Sequence, residues 1–277
     1  MSKNSTFKCV AVVVALWCVV AQMAAHAQYS DYAREKRFAQ DIEAQLLVGE
    51  VVQIVHPARL AGAGARDLPA FMALHAKGSG AKPAIVLAHG VGLHPDEGLT
   101  GQLRQRLHDL GYTTLAIQMP IAAKEAQLDD YFPKLFPEAS ARLQSASQWL
   151  RSRGHNKIVL VSHTMGSWMA NVFFDELNKA NPGAKALPYQ AWACISLTGN
   201  YSWGVRDYAF PILDLYGEQD IAVTVSSAWR RAAMLKLASD GSVQVKIDGA
   251  DAQWRGKETA AAQAIDVFIQ RTDGLKP

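Results

Sequence analysis

Three features predict an α/β protein with a doubly wound, mostly parallel sheet in a single domain. Continuous apolar runs such as Ala84 to Ala88 suit strands covered on both faces. Segments with helical periodicity alternate with such runs from Gly80 onward. Two strand-like segments with no helix between them come first, which predicts an antiparallel pair at the N-terminal side of the sheet.

Residues 1–27 read as a signal peptide. Lys3 and Lys8 supply positive charge, Val10 to Val20 is a short apolar core, and Ala25-His26-Ala27 places small residues where a signal peptidase reads them, with cleavage before Gln28. The apolar run is shorter than the roughly 20 residues a bilayer span needs. Cys18 follows the bulky Trp17, unlike a lipoprotein site. Export to a Gram-negative periplasm is the expected destination. Cys9 and Cys18 leave with this segment, so Cys194 alone cannot form an internal disulfide and a packed core must hold residues 28–277 together. Lys3 and Lys8 also account for two of the three net positive charges. The remainder is nearly neutral and has no basic run, which gives no case for nucleic acid.

The segment 28–48 carries Tyr32, Phe38, Ile42 and Leu46 at helical spacing and predicts an amphipathic helix docked on the body. Strands follow at Gly49 to His56 and Leu68 to His75, joined through the Gly/Ala-rich stretch Ala61 to Ala65. The alternating part predicts strands at 84–88, 113–117, 157–161, 191–197, 211–216 and 243–247. Its helices are expected at 97–110, 138–153, from Trp168 to about 178, 225–238 and 257–271.

Four stations carry possible chemistry. At Leu87-Ala88-His89-Gly90-Val91-Gly92 a buried strand ends in a His-Gly turn. Such a turn either presents a backbone N–H, here that of Val91, to a developing oxyanion, or is an ordinary strand-to-helix connection. Ile158 to Ser162 then runs into His163-Thr164-Met165-Gly166-Ser167. Small residues two positions either side of Thr164 allow the sharp turn of a nucleophile elbow, with the Met165 N–H as the second oxyanion donor. Threonine is a poor tip residue, because a β-branched side chain resists the strained backbone and crowds the hydroxyl. His163 beside it is expected to pack in the core. At Tyr216-Gly217-Glu218-Gln219-Asp220 a strand ends in a loop where Asp220 either orients a histidine or caps a turn. The last station, Ile247-Asp248-Gly249-Ala250-Asp251-Ala252, puts alanine where a base would be needed. None of the eight histidines follows His163.

From about Pro83 to Arg271 the chain resembles the α/β-hydrolase superfamily, and within it the exported, uncharacterised bacterial α/β-hydrolase-like proteins with a short elbow and a late Gly-Ala-Asp-His-like loop. The resemblance implies the α/β-hydrolase fold. It places Thr164 at the nucleophile position, Asp220 at the acid position and Ala252 at the position of a missing histidine. Ester hydrolysis is implied only where nucleophile, acid and base are all present, and two of the three depart here.

The leading expectation is therefore a protein that has lost triad catalysis and keeps a pocket for a small apolar or ester-like ligand, or an interaction role in the envelope. The alternative is a weak or unconventional carboxylesterase using Thr164 and Asp220, with His94 as a non-standard base. His89, His94, Asp96 and Glu97 are metal-ligating types, but their spacing matches no defined metal motif, so neither metal nor cofactor is expected. The aromatic stretch Tyr131 to Pro137 either walls an apolar pocket or packs its loop onto the body.

Overall fold

A computed structural model describes residues 30–56, 68–80, 82–180, 182, 187–201 and 210–272. Residues 1–27, read above as a signal peptide, and most of the connection between the first two strands lie outside the described residues. The elements run α1 (Tyr32–Glu43), β1 (Glu50–Ile54), β2 (Phe71–Ala76), β3 (Ala84–Ala88), α2 (Gly98–Asp109), β4 (Thr113–Ile117), α3 (Leu128–Tyr131), α4 (Phe136–Arg151), β5 (Ile158–His163), α5 (Met165–Ala180), β6 (Ala191–Ile195), β7 (Ile212–Gln219), α6 (Ala222–Leu235), β8 (Val243–Asp251) and α7 (Glu258–Arg271).

The strands form one eight-stranded sheet in the order β1-β2-β4-β3-β5-β6-β7-β8. β1 pairs antiparallel with β2 and β2 antiparallel with β4, while every pairing from β4–β3 to β7–β8 is parallel. The expected doubly wound sheet with an antiparallel N-terminal pair is what the chain forms. Alternating side chains feed two cores. Ile85, Leu87, Val159, Val161, Leu213 and Leu215 meet α2 and α7 on one face, joined by Ile42 of α1. Val86, Leu160, Trp192, Cys194 and Ile212 meet α3, α4 and α5 on the other. Among the described residues no helix is long and apolar enough to cross a membrane.

Several boundaries move, each for a local reason. Helix α4 begins at Phe136, ahead of the expected Glu138, because Pro137 sits in its first turn, where a missing N–H costs nothing. Helix α5 begins directly after Thr164, so the chain turns from strand to helix within one residue. Strands β7 and β8 run on to Gln219 and Asp251, where those two residues pair across a register irregularity. That extension carries Asp220 and Ala252 to the same edge of the sheet.

Two buried charge groups tie helices to this frame. Arg231 of α6 donates from Nε to Asp214 Oδ2 on β7 at 2.9 Å, with both side chains fully buried. Arg142 of α4 pairs with Glu138 on its own helix and with Glu35 of α1 at 3.0 Å. Burial pushes the carboxyls of Glu35 and Asp214 above their ordinary values, and the facing guanidinium pulls each partly back.

Candidate active site

The tip of the turn after β5 has a left-handed backbone: Thr164 has φ +47°. A β-branched residue is rare there, and holding one costs of order 1–3 kcal/mol that the surrounding fold must supply. The fold holds it through Thr164 N–H, which donates to Ile195 O at 3.0 Å, and through Thr164 O, which accepts from Trp168 N–H at 3.1 Å as α5 starts. Gly166 makes the close approach possible. A β-carbon there would stand 2.6 Å from both Ala88 O and His89 O, and backbone carbonyls cannot swing aside. Gly166→Ala is therefore expected to cost about 3 kcal/mol, the upper end for overpacking, and to lower the thermal midpoint by about 6–10 °C. An unchanged midpoint in a melting curve would refute the contact.

The Thr164 hydroxyl faces the His89-Gly90 turn. A β-carbon at Gly90 would lie 2.5 Å from Thr164 Oγ1 and 3.7 Å from His163 Nδ1, so glycine here keeps the space between them open. His89 organises the turn. Its Nε2 accepts from Met119 N–H at 2.9 Å, which leaves the ring proton on Nδ1, and Nδ1 donates to Gly90 O at 2.8 Å. The ring is fully buried, and burial pulls its pKa down to about 3, so it stays neutral. In a trans peptide the N–H points opposite to the C=O. The bond that holds the Gly90 carbonyl therefore turns the Val91 N–H the other way. The Met165 N–H belongs to the first turn of α5 and has no helical acceptor. Neither N–H bonds to a described residue.

Asp220 is buried at the end of β7. Its Oδ2 accepts from Ser196 Oγ at 2.5 Å and from Gly217 N–H at 3.3 Å, and its Oδ1 accepts from Ile221 N–H at 2.8 Å. Ser196 Oγ in turn accepts from the buried indole N–H of Trp254 at 3.0 Å. Ser196 and Trp254 are themselves left-handed, at φ +54° and +62°. Nothing in the sequence pattern pointed to this Trp254–Ser196–Asp220 chain, because its members belong to three separate strand ends.

One cavity of about 900 Å³ gathers three of the four stations: Gly90, Val91, His163, Thr164, Met165 and Ala252 all line it. Leu128, Phe132 and Phe136 line it too, so the aromatic stretch does form a wall, while Tyr131, Leu135 and Phe136 also pack in the core. Trp168 of α5 faces the cavity and donates to Thr198 Oγ1. Asp220 is not on the lining; it sits behind it.

His94 and His163 take different places. His94 does not line the cavity. Its ring packs on Phe38 of α1 at 4.9 Å between centroids, and its Nε2 faces Glu97 at 3.6 Å. His163 is only 6% exposed, yet it borders the cavity rather than being enclosed by core alone. Neither of its ring nitrogens meets a described partner in good hydrogen-bond geometry, although the Ala252 carbonyl lies near enough to act on the ring. Burial pulls its pKa down to about 4, against the smaller upward effects of the Asp220 charge and the Ala252 carbonyl. Thr164 Oγ1 has no hydrogen bond to any described imidazole. Among the described residues no group of three or more His, Cys, Asp or Glu is placed to hold a metal.

No family model matches the sequence, and no curated protein matches it. Solved structures do. A dienelactone hydrolase from Anabaena variabilis aligns at 17% identity and TM-score 0.58 over 80% of this chain and 96% of its own. An esterase from Pyrobaculum calidifontis aligns at 15% and 0.57 over 94% and 97%. An esterase from Pyrococcus furiosus aligns at 12% and 0.59 over 80% and 92%. Identities this low carry the architecture alone, and together with the strand order and the single-residue elbow they make this protein an α/β-hydrolase-fold protein.

Proposed function

We propose that this is an exported, periplasmic α/β-hydrolase-fold protein that has lost triad turnover and uses its cavity to bind a small apolar or ester-like ligand. The observation that carries the reading is that Ala252, which the resemblance puts at the base position, lines the same cavity as Thr164. A methyl group neither accepts nor returns a proton. Loss of a triad histidine or nucleophile costs about 10⁶ in kcat, and roughly 10³ to 10⁴ over water survives from oxyanion donors and binding. The placement of His94 against Phe38 and Glu97 removes support from the alternative esterase reading. Binding is supported by what remains: a mostly apolar cavity of drug-sized volume, lined by Val91 and Met165, whose backbone N–H groups have no described acceptor.

The purified protein is expected to raise the fluorescence of N-phenyl-1-naphthylamine, a neutral apolar probe, and to hydrolyse p-nitrophenyl butyrate no faster than the roughly 10³ to 10⁴ over water that oxyanion donors and binding alone supply. Trp168→Ala, which removes an aromatic wall, should weaken the probe about tenfold, or about 1.4 kcal/mol. Fluorophosphonate labelling that disappears on Thr164→Ala would sink this reading in favour of an enzyme.

A further inference from the structure

Helix α1 lies outside the sheet, yet it reaches two of the loops that shape the cavity. The first is the turn after β3, whose Val91 and Leu93 line the cavity. The second is the segment after β4, which leads into the Leu128 and Phe132 wall. Arg34 spans them with one guanidinium: Nη2 donates to Gly92 O at 2.8 Å and Nη1 to Ala122 O at 3.2 Å. Gly92 is left-handed at φ +70°, and a β-carbon there would meet Tyr131 Oη at 3.5 Å and Arg34 Nη2 at 3.9 Å. The turn thus lies between Arg34 of α1, which bonds to it, and Tyr131 of α3.

The rest of α1 is fastened on both sides of that contact. Asp31 N–H donates to Ile121 O at 2.7 Å, and Ile121 N–H donates to Ser30 Oγ at 2.7 Å. Ser30 N–H and Tyr32 Oη both donate to Glu138 Oε2 of α4, at 3.0 and 3.2 Å. Glu35 meets Arg142 one turn along. Phe38 then covers the ring of His94, with the Arg34 guanidinium 5.2 Å above the Phe38 ring. Hydrogen bonds and buried charge anchor the helix, and the planar fork of Arg34 projects from it onto the two carbonyls.

We infer that α1 is a strap across the cavity's walls and that Arg34 is its positioning residue, holding the Gly92 and Ala122 carbonyls at a set separation. Arginine suits the task because its fork offers several donors in one fixed plane, whereas a lysine ammonium is a single mobile point. The Gly90–Val91 peptide is held at one end by His89 and, through Gly92, at the other by Arg34. Its consequence for ligand rests on the binding reading above; its consequence for the loops does not.

The test uses the whole protein in three forms: Arg34→Ala, Arg34→Lys, and Lys36→Ala as an exposed control on the same helix. Arg34→Ala is expected to speed amide hydrogen exchange at least tenfold in residues 91–98 and 121–127 while β5 keeps its protection. N-phenyl-1-naphthylamine should bind roughly fivefold more weakly. Arg34→Lys should fall between Arg34→Ala and the parent in both readings, and Lys36→Ala should match the parent. Exchange in those two stretches equal to the parent's overturns the strap, whatever the probe does. If Arg34→Ala loses protection throughout, Arg34→Lys and Phe38→Leu decide by the same two stretches. Failure of the parent to bind the probe would count against the binding reading, while the exchange comparison still decides the strap.

Discussion

Changing Thr164 to serine and Ala252 to histidine together is expected to raise hydrolysis of p-nitrophenyl butyrate by at least roughly 10²-fold over the parent. Under the reading proposed above, the two substitutions supply the parts whose absence costs most, and triad members act as a unit, so each alone should give little. The elbow is already left-handed at position 164, the Val91 and Met165 N–H groups have no described acceptor, and Asp220 sits buried behind the cavity. Serine also removes the β-branch from the strained tip. The gain is held well below the full triad effect by the present partners of Asp220. Its Oδ2 is taken by Ser196, and the His163 ring lies where both Asp220 and the Ala252 carbonyl act on it. Adding His163→Ala should therefore increase the gain further by clearing room for the new imidazole. Rates no higher than the parent's from pH 6 to 9, in a variant with the parent's circular dichroism spectrum, would show that position 252 does not stand for the triad base.

Acid should weaken this fold well above the usual carboxylate range. His89 and His163 are buried neutral, with folded pKa values near 3 and 4 against an ordinary 6.5. Above pH 6.5 neither state binds these protons and stability is unaffected. As pH falls below 6.5 the unfolded chain takes up protons that the folded chain refuses, so stability drops until the folded pKa values are reached. For the two buried rings this amounts to on the order of 4 kcal/mol at pH 5, a large share of a typical 5–15 kcal/mol. His56, also pulled down to about 4 by burial, acts in the same direction. Glu35 and Asp214 act oppositely, because their raised carboxyls gain protons in the folded state above their ordinary values, but Arg142 and Arg231 restrain that rise. Urea midpoints measured at pH 7.5 and 5.0 should differ clearly, and His163→Leu should recover about half of the difference. Equal midpoints at the two pH values would refute the account.

The sequence brings several residues of the cavity to notice: Gly90, Val91, Thr164, Met165 and Ala252. The elbow was legible because Ser162 and Gly166 flank position 164 at fixed spacing after an apolar strand, and local sterics then permit little else. The His89-Gly90 turn and Asp220 were legible from their places after strands, since parallel strands deliver their carboxyl ends to one edge. His94 and His163 were not. Proximity in sequence puts His94 in a bordering loop, and Glu97, which faces it, does line the cavity, but the His94 ring packs on Phe38 of α1 and is not on the lining. His163 was expected in the core because adjacent side chains on a sharp turn diverge; it is indeed buried, yet its ring also borders the cavity beside Ala252. The role of Arg34 left no trace in the sequence, since its two acceptors are backbone carbonyls that any residue supplies.

The sequence by itself determined the alternation of strand and helix, the tight turn at Thr164 and the lack of any histidine after position 163. These are properties of neighbouring residues: periodicity, side-chain size and chemical identity. Only the tertiary structure decided that Asp220 bonds to Ser196 under Trp254, that His163 and Ala252 line one cavity, and that Arg34 of α1 bonds to Gly92 and Ala122 in two loops next to that cavity. Those relations join residues far apart in the chain. They depend on how the sheet twists, which strand ends come level and which side chains find room, and these are settled by packing across the whole domain rather than by any local pattern.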